Sequence, residues 1–222
     1  MATKKLATEQ LTISPLNMEV LVVDIEGTAP LLQARFPQKA KEKMREKMAA
    51  GQAAKKGTKR EPRDFEDDFR QAQHISEDGW NGIAAPAFRN ACIDVCRMVG
   101  FKMTHAKMSI FVEADGLDVQ DGTPLIKIIG GKPEQTEMPV RNATGVVDIR
   151  VRPMWRKWGC KLRIRFDADQ FTMDDVVNLL ARAGEQVGIG EGRPYSKSSN
   201  GIGMGTFRIA DGGKAKTGRA KK

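Results

Sequence analysis

Apolar positions along the chain follow two periods, and the switches between them mark out the elements. Met18 to Glu26, rich in β-branched residues and bounded by turn signals, predicts a strand that ends at Gly27-Thr28-Ala29-Pro30. The stretch 38–54 has helical propensity with a thin apolar stripe, which predicts an exposed helix or arm, and 50–70 has no period able to bury a core. Order is expected to return by Trp80. From Pro86 to Val99 the residues Phe88, Ala91, Cys92, Val95, Met98 and Val99 repeat at three- and four-residue steps, predicting an amphipathic helix with one buried stripe, started by Pro86 and stopped by Gly100. Ser109–Glu113 and Leu125–Ile129 read as strands. Segments 146–151 and 161–166 are expected to form a strand pair joined by a loop carrying Trp155 and Trp158. A second helix begins at the capping-box-like Thr172-Met-Asp-Asp175, with Val176, Val177 and Leu180 on its apolar face and Gly184 as its stop. Gly188-x-Gly190-x-Gly192 and Gly201-x-Gly203-x-Gly205 then lead into a last strand ending at Ile209.

Without the stretch 37–79, the two helices alternate with strands in a split βαβ arrangement. This predicts an α+β fold with a ferredoxin-like or RRM-like antiparallel sheet, two helices and a basic insertion after the first strand. The expected division is an N-terminal arm (1–17), a single domain (18–210) with insertion 37–79, and a basic disordered tail (211–222). At 222 residues the chain suffices for one such domain. No window approaches the ~18 to 20 apolar residues of a membrane span, and no signal-peptide core follows Met1, so a cytoplasmic protein without a membrane partner is expected. Three widely spread cysteines argue against a disulfide framework.

Charge changes this picture. The net +9 is uneven: residues 37–63 hold ten Lys/Arg against three acids, among them Lys39, Lys41, Lys43, Arg45, Lys55, Lys56, Lys59 and Arg60, and 214–222 add five positives and no acid. What remains is −3, yet it contains a third basic segment, 141–165, with Arg150, Arg152, Arg156, Lys157, Lys161, Arg163 and Arg165 against Asp148 alone. Lys161, Arg163 and Arg165 alternate with Leu162, Ile164 and Phe166, so one strand face is expected to be cationic. Three basic clusters on an acidic body point to a polyanion-binding surface, against a solvated face or arm as the alternative.

The glycine clusters follow a helix and precede a strand, the reverse of a dinucleotide fingerprint, and no Gly-Lys-Ser/Thr completes a P-loop. Glycines at 188, 190, 201 and 203 could let a backbone approach phosphates beside Arg193 and Lys197, or could form tight turns. Trp155 and Trp158 could stack bases beside Arg156 and Lys157, or anchor the hairpin on the core. Cys92 and Cys96 lie one helical turn apart without a completing Cys/His set, and the 115–121 acidic run lacks the calcium loop's twelfth-position Glu. No metal site or cofactor is expected.

The order Glu26-Gly-Thr-Ala-Pro-Leu31, Gly82-Ile-Ala-Ala-Pro-Ala-Phe-Arg89, a C-terminal helix, the loop from Val187-Gly-Ile-Gly-Glu-Gly192 to Gly201-Ile-Gly-Met-Gly205, and the strand Thr206–Ile209 resembles the signature of the RAMP superfamily, RNA-binding proteins of CRISPR systems. Small bacteriophage-encoded proteins share it. The resemblance implies a modified RRM-like domain, most similar to the subunit that polymerises along guide RNA, in which an insertion after the first strand contacts nucleic acid or the next subunit. Arg89 joins the expected binding residues on this ground.

The expectation is therefore a non-enzymatic protein binding single-stranded RNA, or DNA, with self-association along the strand, working in the bacterial host's cytoplasm if phage-encoded. Two alternatives remain. Some superfamily members cleave RNA without metal, and His74, His105 and Tyr195 are this chain's candidates for general acid or base. A phage structural or anti-defence role would direct the basic arms to a protein partner.

Overall fold

In a computed structural model, residues 13–49, 63–141, 147–195, 201–210 and 216–219 are described. The protein is mixed α/β with antiparallel sheets. The largest is built around β1 (Met18–Gly27), which pairs along its length with β10 (Trp158–Asp167). β4 (Ile110–Glu113) and β7 (Ile129–Gly130) flank β10 on its other side, while β11 (Phe207–Ile209) and β12 (Lys216–Arg219) flank β1, giving the order β11-β1-β10-β4. One three-stranded sheet orders β2 (Leu31–Leu32), β9 (Val147–Trp155) and β8 (Glu134–Arg141), and another orders β3 (Gly82–Ala84), β6 (Pro124–Lys127) and β5 (Gly116–Leu117).

Alternation decides what the large sheet buries. Leu21, Val23 and Ile25 of β1 stand opposite Ile164, Leu162 and Cys160 of β10 and point to one face. That face is covered by α3 (Ala85–Met98), through Phe88, Ala91, Cys92 and Val95, and by α5 (Met173–Arg182), through Val176, Leu179 and Leu180. α3 begins with the expected proline in its first turn, but its stripe stops at Cys96: Met98 and Val99 are exposed, because the chain turns at Gly100 toward α4 (Met103–Ser109). α5 has the expected capping box, with Thr172 Oγ1 accepting from Asp175 N–H and Asp175 accepting from Thr172 N–H, which holds the Asp175 carboxyl below its ordinary pKa.

Several expectations are corrected. Strands 147–155 and 158–167 are not a pair: only Arg156 and Lys157 separate them, and they enter different sheets. β8, with two Glu and a Pro, has no strand-like pattern and supplies β9's partner instead. Gly184 does not stop its helix, which continues as a π-helical turn over Ala183–Val187 and stops at Gly188, where φ is +67°. Regular structure is present by Trp80, as expected: Asp64 caps α2 (Phe65–Gln71), and Arg63 pairs with Asp68 and Asp148. The chain end, expected to be disordered from 211, contains β12, whose backbone pairs with Glu19–Val22. α1 (Gln38–Ala49) is exposed as expected, with no buried residue.

The glycine loop packs against the protein itself. A Cβ on Gly205, where φ is +67°, would lie 1.8 Å from the Ile189 carbonyl oxygen. On Gly203, where φ is +81°, it would meet nothing within 4 Å. Gly205→Ala should therefore lower unfolding free energy by about 3 kcal/mol or more, and Gly203→Ala by about 1 kcal/mol, both read by denaturant unfolding.

Candidate nucleic-acid interface

The exposed face of the large sheet carries the cations expected from β10, and it also carries their partners. Asp24 stands opposite Lys161, Val22 and Glu113 flank Arg163, and Val20 and Phe111 flank Arg165. Arg163 lies 2.9 Å from Asp115, 3.6 Å from Glu113, and donates to the Ala114 carbonyl. The Lys161 ammonium is 3.9 Å from Asp24, and Arg208 pairs with Glu26 on the neighbouring strand. The face expected to be cationic is thus close to neutral at its centre. A period-two pattern cannot reveal this, because the compensating carboxylates come from strands far away in sequence.

Other candidates are also occupied. Arg89 donates to the Ile110 and Lys107 carbonyls, and its guanidinium and that of Arg165 lie 5.5 and 5.4 Å from the Phe111 ring centroid. Arg152 hydrogen bonds Glu191 of the glycine loop, Arg150 stands 4.0 Å from the same carboxylate, and Arg156 pairs with Glu134. Arg193 donates to the Gly190 and Tyr195 carbonyls, bracing the loop. Lys157 is exposed in the β9–β10 turn. Trp155 and Trp158 are 2% and 4% exposed and form part of the core; Trp158 Nε1 donates to the Ala29 carbonyl, and its ring meets Phe207 edge-on. Burial withholds both from a base.

Of the glycines, Gly188 and Gly190 serve the chain's own packing: a Cβ would sit 2.8 Å from Pro194 and 2.3 Å from the Leu32 carbonyl oxygen. A Cβ on Gly201 would make ordinary contact with the Pro194 carbonyl oxygen at 3.7 Å, and one on Gly203 would meet nothing within 4 Å. Lys55, Lys56, Lys59, Arg60 and Lys197 lie outside the described residues.

The most cation-rich exposed helix among the described residues is α1. It carries Lys39, Lys41, Lys43, Arg45 and Lys47 against Glu42 and Glu46, on a helix with no buried side chain. Its first turns are fixed to the body. Lys41 reaches Asp121 at 3.0 Å, and Arg35, just before the helix, is 5% exposed beside Asp118, Gln120 and Asp121. Asp118 is itself 2% exposed and accepts from Gln120 N–H. The sequence gives no signal for this network, since Arg35 and Asp118 are 83 positions apart in unrelated loops.

The same network holds two further groups. His74 Nδ1 lies 2.7 Å from Asp118 Oδ2, and His74 N–H donates to Gln33. No hydrogen bond, ion pair or ring contact joins His74 to His105, which packs on Phe101, or to Tyr195, exposed in the glycine loop. Beyond His74 the chain makes a tight turn, Ser76-Glu-Asp-Gly79, with Gly79 N–H donating to the Ser76 carbonyl, and it delivers Trp80 to the surface. The half-buried Trp80 lines an open cleft of about 350 Å³ with Asp115, Lys127, Ile129 and Lys161. Lys127 Nζ is 6.0 Å from the Trp80 ring centroid. Sequence reading missed Trp80 because the aromatic and its cations, Lys127 and Lys161, come from three separate segments.

Burial and the neighbouring Cys96 push the Cys92 thiol up to about 12, and burial raises Cys96 and Cys160 as well, so none is a ready thiolate. Among the described residues no group of three or more His, Cys, Asp or Glu could hold a metal ion, and no helix is long and apolar enough to cross a membrane. No protein-family model and no curated protein sequence matches the chain.

Burial alone would raise the Asp121 pKa. Hydrogen bonds from Thr123 and Lys41 and the Arg35 charge outweigh it and hold the carboxyl well below its ordinary value. A depressed carboxylate adds stability that is complete above its unfolded value, ~3.9, and is lost as pH falls through the folded one. The stability difference between the native protein and Asp121→Asn should therefore be constant from neutral pH to about 4 and shrink below it, as measured by denaturant unfolding across pH. Asp118→Ala, which strands the Arg35 guanidinium, should cost about 3 to 5 kcal/mol in the same assay.

Proposed function

We propose that the protein is a non-enzymatic, single-stranded nucleic-acid-binding protein of ferredoxin-like, RRM-like architecture, RNA being preferred to DNA. The architecture is supported by the strand order β11-β1-β10-β4, with α3 lying between β1 and β4 in the chain and α5 between β10 and β11, the connections of a split βαβ pair. The preference for RNA and a phage origin, with work in the bacterial cytoplasm, rest on the resemblance to the RAMP signature. So does self-association along the strand. Fold alone decides no function.

The observation that carries the reading is α1, an exposed helix with a net charge of +3 whose base is locked to the body by a buried ion-pair network. A cationic rod held at one end offers phosphates a charged surface at little cost in ordering. Affinity from such contacts falls with salt, with a log–log slope of about −0.7 per phosphate neutralised on a single strand.

A metal-independent endoribonuclease is the second reading, and the His74–Asp118 contact favours it. The carboxylate fixes one ring nitrogen and so orients the other, an arrangement suited to a general base.

Anisotropy of labelled single-stranded RNA and DNA across a salt series tests these readings. Charge reversal of Arg45 and Lys47 together should flatten the slope by about 1.4, while reversal of Lys161 and Arg163 should leave it nearly unchanged, since these already face carboxylates. Absence of binding at low salt overturns the proposal. Cleavage products that disappear with His74→Ala would move the assignment to the second reading.

A further inference from the structure

We infer that the Trp80 cleft is a base-stacking subsite, which takes one unpaired nucleobase of a bound strand. The inference rests on the proposed nucleic-acid reading and gives it a structural reason for preferring single strands.

Trp80 lies against two glycines that leave room for it. A Cβ on Gly82 of β3 or on Gly116 of β5 would each come within 2.9 Å of its six-membered ring. These strands flank β6, whose Leu125 side chain also comes within 2.9 Å of a Cβ at Gly82, so the indole is seated between the two glycine positions and beside Leu125. The Ser76–Gly79 turn fixes its stem, Trp80 N–H donating to Ser76 Oγ and Ser76 N–H to the Trp80 carbonyl. An aromatic ring immobilised in advance costs little entropy when a base stacks on it.

The rest of the cleft suits a nucleotide. Its volume of about 350 Å³ lies within the range of small-ligand pockets, from ~300 Å³ upward. Lys127 and Lys161 put ammonium groups at its margin, where phosphates flanking a stacked base would pass, and Ile129, 57% exposed, adds an apolar wall. Asp115 offers a carboxylate that already accepts from Lys127 N–H and from Arg163, and so is held in place. Phe111, the aromatic on the sheet face itself, has two guanidiniums over its ring, those of Arg89 and Arg165, whereas Trp80 has the single, flexible Lys127 ammonium at 6.0 Å and borders an open cleft. A duplex keeps its bases stacked on each other and has no face to offer Trp80.

Intrinsic fluorescence isolates this site, because Trp155 and Trp158 are buried in the core. Titration with a mixed-sequence single-stranded RNA oligonucleotide should quench Trp80 emission, whereas an abasic oligonucleotide of equal charge and a poly-glutamate peptide should not. The base-bearing strand should bind about 5- to 100-fold tighter than the abasic one. Trp80→Ala should remove both the quenching and that difference, and Trp80→Phe should restore most of the difference. Equal binding of the two strands by the native protein, or quenching by the peptide, overturns the subsite. Because both comparisons use the native protein, a Trp80→Ala variant that fails to fold leaves the test intact. Strand binding that is salt-sensitive but indifferent to bases would overturn this inference and leave the nucleic-acid reading standing. Absence of binding to either strand at low salt would overturn both.

Discussion

The buried pair of Arg35 and Asp118 is the constraint on which the candidate surface depends. Two charges taken out of water are costly unless surrounded by partners, and the pair gathers Gln120, Asp121, His74 and, through His74, Gln33. These come from three segments that share no sheet: the exit from β2, the stretch before β3, and the loop between β5 and β6. Their convergence sets where α1 leaves the body and where the turn bearing Trp80 is pinned, since Ser76 bridges to Asp118 as well as to Trp80. The arm and the cleft are therefore positioned by one polar cluster, although neither contributes much to the apolar core.

The large sheet illustrates how net charge can mislead about a surface. Lys161, Arg163 and Arg165 look like a stripe built for phosphate, and along β10 they are one. Across the strands they meet Asp24, Glu113 and Asp115, and Arg165 lies over an aromatic ring. Exposed pairs of this kind contribute little stability individually, about 0 to 1 kcal/mol. Their larger effect is to balance the charge of the sheet face locally.

Elements whose pattern is local were legible in the sequence. β1, α3 and α5 follow from period, proline placement and the Thr172–Asp175 cap, and the exposure of α1 follows from its thin stripe. What failed was information held in pairing. The β9 and β10 segments alternate well enough to suggest a hairpin, but the two-residue link Arg156–Lys157 sends them to separate sheets. The tryptophans at its ends are buried as a result. The glycine loop is legible in the sequence, while the reason for Gly190 and Gly205, close approach of the protein's own carbonyls, needed coordinates. Trp80, which no nearby basic residue advertises, was overlooked for the same reason that Asp118 was: its partners are distant in sequence.

The pairing of β1 also bears on how the chain folds during synthesis. All the strands that hydrogen bond to β1 lie beyond residue 157, and those on one of its sides lie beyond residue 206. This strand therefore leaves the ribosome long before its neighbours do. Closing loops of that length makes sheet assembly slow relative to helix formation. Until β10 has been made, Leu21, Val23 and Ile25 have no partner strand in this sheet, and the growing chain carries an unpaired apolar strand.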